Sequence, residues 1–328
     1  MNVPRVSVVI PLYNKAPYIA AAVRSVLAQT VTDFEVIVVD DGSLDDSAEI
    51  VERFDDPRLR LVRQENQGES AARNKGVALA GSGLMAFLDA DDEWTPSHLE
   101  VLLRLAGRFP GAGILATAYK IVSPDGRSRP AGYQGIPAGP WEGLLPNYFL
   151  SLACGVTSEL LGEYPVNASV AGIPKKVLLE AGGFPVGYWF GADIDLFGRI
   201  ALNYPVAFSW EGLGIYHRDA LGRCCERARP LDYVEPFVTT AREALKRGGV
   251  RPEFVGPLNE FLSLKEIPRA AGNLVAGNRD TARAILKACK TRWLFGRKLK
   301  WTVLAAMPSP LFQFLWTQNR RLRGRKAN

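Results

Sequence analysis

Val6-Ser7-Val8-Val9-Ile10-Pro11 is a largely apolar, β-branched run closed by a proline, the pattern of a buried strand. A helical periodicity follows from near Pro17 to near Gln29, and Phe34 to Val39 then repeats the strand and runs into Asp40-Asp41-Gly42-Ser43. Acidic and hydroxyl residues there suit a turn and the cap of a helix reaching Phe54. Leu59 to Val62, a helix from about Ser70 to Ala80, a strand from Leu84 to Leu88, a helix opening at Pro96 and a strand from Gly113 to Tyr119 continue the alternation. Such alternation implies an α/β fold, a single doubly wound and mostly parallel sheet flanked by helices, with ligand chemistry at the C-terminal strand ends.

Beyond the fifth strand the pattern changes. From Ser123 to Pro146 glycine and proline replace periodic apolar positions, as in a loop or lid, and side chains over about Ser123 to Gly162 would set specificity. Ala168 to Ile173, a helix from Lys175 to Ala181 and a helix from about Ile194 complete the domain, and the sequence beyond Leu231 is helical almost throughout. The expected organisation is 1–122 as one half of the main domain, 123–230 as the other, and 231–328 as a helical C-terminal extension.

With 47% hydrophobic and 23% charged residues in 328, the chain has the balance of a globular protein. Its net charge of +6 is unevenly spread. Residues 281–328 carry twelve Lys/Arg and no Asp/Glu, leaving 28 basic and 34 acidic groups over 1–280. An acidic body with a basic tail argues against nucleic acid and for a localised electrostatic contact. Cys154, Cys224, Cys225 and Cys289 show no disulfide or zinc spacing, which suits a reducing, cytoplasmic compartment.

Phe87-Leu88-Asp89-Ala90-Asp91-Asp92 ends an apolar strand in three carboxylates within four positions. Like charges so close are costly unless a cation or a donor network neutralises them, and oxygen ligands select Mg²⁺ or Mn²⁺; a solvated helix entry leading to Pro96 is the plainer alternative. Asp40-Asp41-Gly42-Ser43 stands where a doubly wound sheet presents groups to a nucleotide, although a capping turn accounts for the same residues. Pro11-Leu12-Tyr13-Asn14 occupies the place of a dinucleotide-binding glycine loop without its glycines, and no phosphate-binding G-x-x-x-x-G-K-[ST] occurs. Tyr13 offers a ring for stacking. Asp193 and Asp195 follow Tyr188-Trp189-Phe190 at a helix start, where an aromatic wall beside an acid suits a sugar and the helix dipole alone also favours acids. His217 follows an apolar run and could supply a further metal or diphosphate contact; His98 is read as a surface residue.

In this order the elements resemble glycosyltransferase family 2, of GT-A fold. The resemblance rests on Pro11-Leu12-Tyr13-Asn14, Val38 to Ser43, Gly68 with Ala72-Arg73-Asn74-Lys75-Gly76, Phe87 to Asp92 with Trp94 and Pro96, Gly182-Gly183-Phe184, and Gly191 to Leu196, and covers roughly residues 4–220. It implies an inverting, metal-dependent transfer of a sugar from a nucleotide diphosphate, commonly uridine diphosphate, to an acceptor hydroxyl in surface polysaccharide or glycolipid synthesis. Pro11, Tyr13, Asn14, Asp41, Arg73, Asp89 and Ala90 would contact the nucleotide sugar, Asp91 with His217 the metal, and Trp189 with Asp195 the acceptor. Asp193 would be the general base, although Ala192 stands where the family often has Glu.

Two other functions share parts of this pattern. A sugar-phosphate nucleotidyltransferase has a similar sheet and metal use but expects a glycine-rich basic loop that Pro11 to Pro17 does not supply. A non-enzymatic nucleotide-diphosphate scaffold would lack Asp91 or Asp193, and both are present. Residues 293–328 mix Trp, Phe and Leu with Arg297, Lys298, Lys300 and the closing basic run. That mixture suits peripheral contact with the inner face of a membrane, while packing as a helical cap or an oligomer contact is the alternative.

Overall fold

The computed structural model describes residues 3–131, 141–154, 164–223 and 229–324, with side chains throughout except at 154 and 318–324. Much of the expected lid, the pair Cys224-Cys225, and the last basic residues Arg325 and Lys326 lie outside the described residues. The chain forms two compact units, 1–228 with 234–251, and 229–233 with 252–328.

The first unit contains β1 (Val6–Leu12), α1 (Ile19–Leu27), β2 (Phe34–Asp40), α2 (Ser47–Glu52), β3 (Leu59–Arg63), α3 (Glu69–Leu79), β4 (Leu84–Phe87), β5 (Glu93–Trp94), α4 (His98–Arg108) and β6 (Ile114–Val122). It continues through β7 (Ser128–Pro130), β8 (Glu142–Leu144), α5 (Tyr148–Cys154), a 3₁₀ turn (Ala168–Val170), β9 (Ala171–Pro174), α6 (Lys175–Glu180), α7 (Ala192–Ala201), β10 (Val206–His217) and α8 (Pro236–Arg247). The main strand order is β3-β2-β1-β4-β9-β6-β10-β5, with β7 on β6 and β8 on β10. β3, β2, β1 and β4 pair in parallel, as do β6 and β10, while β9 enters antiparallel to both β4 and β6. The α/β sheet flanked by helices is therefore as expected, and β9 makes its centre mixed.

Both faces of the parallel part are covered, which is why its strands read as nearly continuous apolar runs. Val6, Val8, Ile10 and Leu12 of β1 pack with Val23 and Val26 of α1 and Leu102 and Leu105 of α4 in one buried core. On the opposite face α3 approaches β1 so closely that a Cβ on Gly76 would stand 2.4 Å from a Val9 methyl carbon. Any larger residue at 76 would push the helix off the sheet.

The boundary expected at 230/231 falls elsewhere, because α8 belongs to the first unit. A Cβ on Gly198 of α7 would overlap the Phe237 ring of α8, so a bare glycine seats that ring. The second unit is helical, with α9 (Pro252–Val275), α10 (Arg279–Ala288), α11 (Phe295–Ala306) and α12 (Ser309–Gly324). Within it Glu260, almost fully buried, accepts from Thr291 Oγ1 and the Arg292 backbone N–H, both at 2.5 Å, tying α9 to the approach to α11.

Candidate active site

β1, β2 and β4 run parallel, so their C-terminal ends open on one edge of the sheet. The first two turns there are stitched together. Asn14 sits at φ 51°, a left-handed value that Asn tolerates; its N–H donates to Ser43 Oγ at 3.1 Å and its Oδ1 accepts from the Leu44 N–H at 2.8 Å. The Lys15 N–H donates to Ser47 Oγ at 2.8 Å. Pro11 is buried within β1, and Tyr13 is exposed at the mouth of the turn. Asp41 is buried, with Oδ1 accepting from Gln64 Nε2 at 2.7 Å and the Gln67 N–H at 2.9 Å and Oδ2 from the Gly68 N–H at 2.8 Å. Its carboxylate thus fastens the loop that leads into α3.

The acidic turn after β4 divides its labour. Ser169, on the 3₁₀ turn before β9, accepts from the Asp89 N–H at 3.2 Å and donates to Asp92 Oδ2 at 2.5 Å. The other Asp92 oxygen accepts from the His217 N–H at 3.0 Å. Asp92 is therefore an internal strut, and burial, reinforced by the negative charges of Asp91 and Asp89, holds its carboxyl well above the usual range. His217 has both ring nitrogens taken by carboxylates, Nε2 by Glu93 at 2.9 Å and Nδ1 by Asp219 at 3.1 Å. To ligate a metal it would have to release one of them.

Asp91 and Asp89 face cations of the chain itself. Lys15 Nζ stands 2.6 Å from Asp91 Oδ2 and also donates to the Leu221 carbonyl at 3.0 Å. Arg73 of α3, buried, reaches Asp89 Oδ1 at 2.6 Å and also pairs with Glu69 one turn before it. Ala90 between the two acids is buried. Asp193 lies in the first turn of α7, behind Gly191 at φ 77°, and accepts the Ile194 N–H at 2.8 Å. Burial raises its carboxyl above the usual range, the positive charge of Arg73 opposes that shift, and the charge of Asp89 adds to it. Glu69 in turn feels Arg73, Asp89, Asp193 and Asp91 together. The acids at 89, 91 and 193 therefore share one electrostatic neighbourhood around Glu69 and its partner Arg73. The glycine pair at 182–183 helps to bring α7 there. Asn74, next to Arg73, exchanges hydrogen bonds with the Phe184 backbone at 2.8 and 2.9 Å, and a Cβ on Gly183 (φ 71°) would stand 2.8 Å from Asn74 Oδ1.

Two residues sit where sequence reading did not place them. Asp195, expected at the acceptor, is buried, with one oxygen held by Arg199 Nε at 2.8 Å and the other by Thr240 Oγ1 at 2.5 Å, so its carboxylate joins α7 to α8. His98 is fully buried, its ring stacked on Trp94 at 4.3 Å and its Nδ1 3.2 Å from Thr117 Oγ1. Burial pushes its pKa down to about 3. Trp189 is half-buried, with its ring 6.0 Å from that of Phe190 in the segment before α7.

Lys15, Glu69, Glu93 and Ser169 were not anticipated. Lys15 follows Pro11-Leu12-Tyr13-Asn14 directly and could have been suspected from the need for positive charge beside three acids. Ser169 carried no such signal. Among the described residues no three His, Cys, Asp or Glu side chains form a metal cage. Asp91, with Asp89 two positions away, is instead the kind of donor used by Mg²⁺ or Mn²⁺, which take one or two carboxylates and complete their shells with water and phosphate oxygens.

The family model for glycosyl transferase family 2 matches residues 7–151, which include the turns after β1 and β2, Arg73 and the acidic turn after β4. This region belongs to glycosyl transferase family 2. Relatives of the family 2 region include an uncharacterized glycosyltransferase, YibD, of Escherichia coli (strain K12), 41% identical over 31% of this chain and 30% of its own length. Another is a hyaluronan synthase of Pasteurella multocida, 36% identical over 40% of this chain and 14% of its own length. The match spans only about a third of the first curated relatives. Among solved structures, S. aureus TarS 1–349 in complex with UDP-GlcNAc superposes with a TM-score of 0.68 at 17% identity, covering 92% of this chain and 90% of that one. The mannosyltransferase PcManGT from Pyrobaculum calidifontis, in complex with GDP-Man and Mn²⁺, gives 0.60 at 21%, covering 98% and 81%. These likenesses show the GT-A fold for this chain.

Proposed function

We propose that the protein is an inverting glycosyltransferase that moves a sugar from a nucleotide diphosphate, uridine diphosphate in the first instance, onto an acceptor hydroxyl in surface polysaccharide or glycolipid synthesis. One observation supports the reading: Arg73, paired with Asp89 at 2.6 Å, also feels the charge of Asp193, so the acidic turn after β4 and the acid of α7 share one electrostatic neighbourhood, as two acids serving one substrate would. The nucleotide sugars bound by TarS and PcManGT, and the hyaluronan synthase among the relatives, support the choice of donor and product class.

Tyr13, with Pro11 and Asn14 around it, would receive the base, and Asp41 acts through the loop it fastens. Asp89, Ala90 and Arg73 would address the ribose, diphosphate and sugar. Asp91 would hold Mn²⁺ or Mg²⁺ beside the diphosphate, and that cation would neutralise charge building on the leaving group. Lys15 is placed to add a second positive charge there. Asp193 takes the acceptor proton as the hydroxyl oxygen bonds to the anomeric carbon and the bond from that carbon to the diphosphate oxygen breaks. A single displacement inverts the configuration. Trp189 would offer an apolar face to the acceptor. We assign His217 to bracing Glu93 and Asp219 and Asp195 to the α7–α8 joint, both outside direct contact with substrate. The workplace proposed is the cytoplasm, at the inner face of the membrane.

The test is nucleotide release from a panel of UDP- and GDP-sugars, with and without glycan or lipid-linked acceptors and Mn²⁺. Acceptor-stimulated release with an inverted anomeric signal by NMR is expected. Formation of a nucleotide sugar from a nucleoside triphosphate and a sugar 1-phosphate would instead make the protein a nucleotidyltransferase. Donor binding with no turnover on any acceptor would make it a scaffold.

A further inference from the structure

Phe295, Leu299 and Val303 recur at four-residue spacing along α11, and all three are exposed. On α12, Leu311, Phe314 and Leu315 repeat the pattern at i, i+3 and i+4, and Phe295 and Phe314 are each 61% exposed. Trp293, half exposed, stands just before α11. An apolar stripe of this kind along a helix normally faces a core. Here a different side of each helix does so. Ala305 and Phe312 are buried, the rings of Trp301 and Trp316 meet at 6.0 Å, and the Arg279 guanidinium lies 5.6 Å from the Phe312 ring while donating to the carbonyls of Ala305, at 3.1 Å, and Met307. Arg283 Nε donates to the same Ala305 carbonyl at 3.0 Å, so the end of α11 is fastened by two arginines of α10. The helix pair is held on one side and presents large apolar side chains on the other.

The charges beside those stripes have one sign. Arg292, Arg297 and Lys300 are exposed, and residues 281–328 contain twelve Lys/Arg with no Asp/Glu. A second copy of the chain would bring two such cationic rims together, which like charge opposes. Anionic phospholipid headgroups complement the rim, and the acyl boundary beneath them takes Trp, Phe and Leu side chains. Among the described residues no helix is long and apolar enough to cross a membrane, so the contact is interfacial.

We propose that the outer face of α11 and α12 docks on an anionic lipid bilayer, with Phe295, Leu299 and Phe314 inserted and Arg297 and Lys300 at headgroup level. The proposal deepens the membrane location proposed above, and its test, which reads vesicle binding alone, is separate from that of the catalytic reading.

The experiment is co-sedimentation of the full chain with vesicles of phosphatidylcholine, with and without phosphatidylglycerol. Binding is expected only with phosphatidylglycerol and should weaken as salt is raised. The variant carrying Phe295→Ser, Leu299→Ser and Phe314→Ser should partition about tenfold less or worse. So should the variant carrying Arg297→Glu and Lys300→Glu, which leaves the apolar surface intact. Both should keep the wild-type melting temperature, and if the first does not, the second decides alone. Equal binding to vesicles without phosphatidylglycerol, unchanged partition of the charge variant, or self-association of the wild type with no vesicle binding would each overturn the proposal.

Discussion

Lys15 and Asp91 form an ion pair of 2.6 Å in which each side chain is 15% exposed, and the same ammonium donates to the Leu221 carbonyl. The pair ties the turn after β1 to the acidic turn after β4 and to the segment beyond β10. A divalent ion on Asp91 must therefore compete with an ammonium already in place. Lys15→Met should tighten the binding of Mn²⁺ alone about fivefold, the order of one partly screened ion pair. It should at the same time weaken the binding of UDP with Mn²⁺. Calorimetric titrations with and without nucleotide check both signs.

Asp193 should govern the acid limb of turnover. Its carboxyl titrates above the usual range because it is buried, and only the ionised form can accept the acceptor proton. The turnover number should fall as pH drops through that raised value, above the ordinary Asp value of about 4. Asp193→Asn should cut turnover by about 10² to 10⁴ and leave UDP affinity nearly unchanged. Steady-state rates across pH, with calorimetry for the nucleotide, measure the two together.

Asp92 carries the opposite expectation. Because its folded-state carboxyl is raised, the folded protein favours the protonated form, and stability is lost as pH rises from the unfolded value towards the folded one. Asp92→Asn keeps an acceptor for the His217 N–H and removes the charge. In thermal melts run in chelator, the variant should gain on the wild type as pH rises through this window. A difference independent of pH would show that the charge is not what costs stability.

Asp195→Ala should act on the fold. Removing a buried carboxylate that holds Arg199 and Thr240 should cost about 3 kcal/mol in urea unfolding. At a temperature where the variant is folded, the Michaelis constant for the acceptor should stay within about twofold of the wild-type value, since a residue outside the acceptor site contributes no ground-state binding.

His98 should remain neutral across the working range. Its imidazole is held down to about 3 by burial, so its NMR ring resonance should not move between about pH 5 and 8, where an ordinary histidine titrates. The linkage has a definite sign: unfolded His98 takes up a proton near pH 6.5 and the folded form does not, so this group's contribution to stability is lost as pH falls below that value.

The alternation of strands and helices was legible because it depends on local periodicity. β1, β2, β4 and the helices between them fall where apolar spacing placed them. β5, two residues long, β7 and β8 went unread, since strands of two or three residues carry no period and exist only through pairing with β10 or β6. The antiparallel entry of β9 is likewise a long-range fact. At the site, the motif residues were visible as types and their division of labour was not. That Asp92 is a strut while Asp91 meets Lys15 depends on Ser169, nearly eighty positions away. His98 looked like a surface residue because it follows an acidic cluster on a polar helix start, and only the Trp94 ring and Thr117 hydroxyl reveal that its side of α4 faces inward.

Ser169 and His217, which hold the acidic turn, both stand outside the stretch between the end of β6 at Val122 and the turn at Ala168. Within that stretch Tyr148, Phe149 and Leu152 of α5 are buried, the Phe149 ring stacks on that of Phe237, and β7 and β8 pair with β6 and β10, so the segment is anchored to the main unit at several points of its own. Changes of sequence there that spare these anchors would leave the hydrogen bonds on the acidic turn as they are.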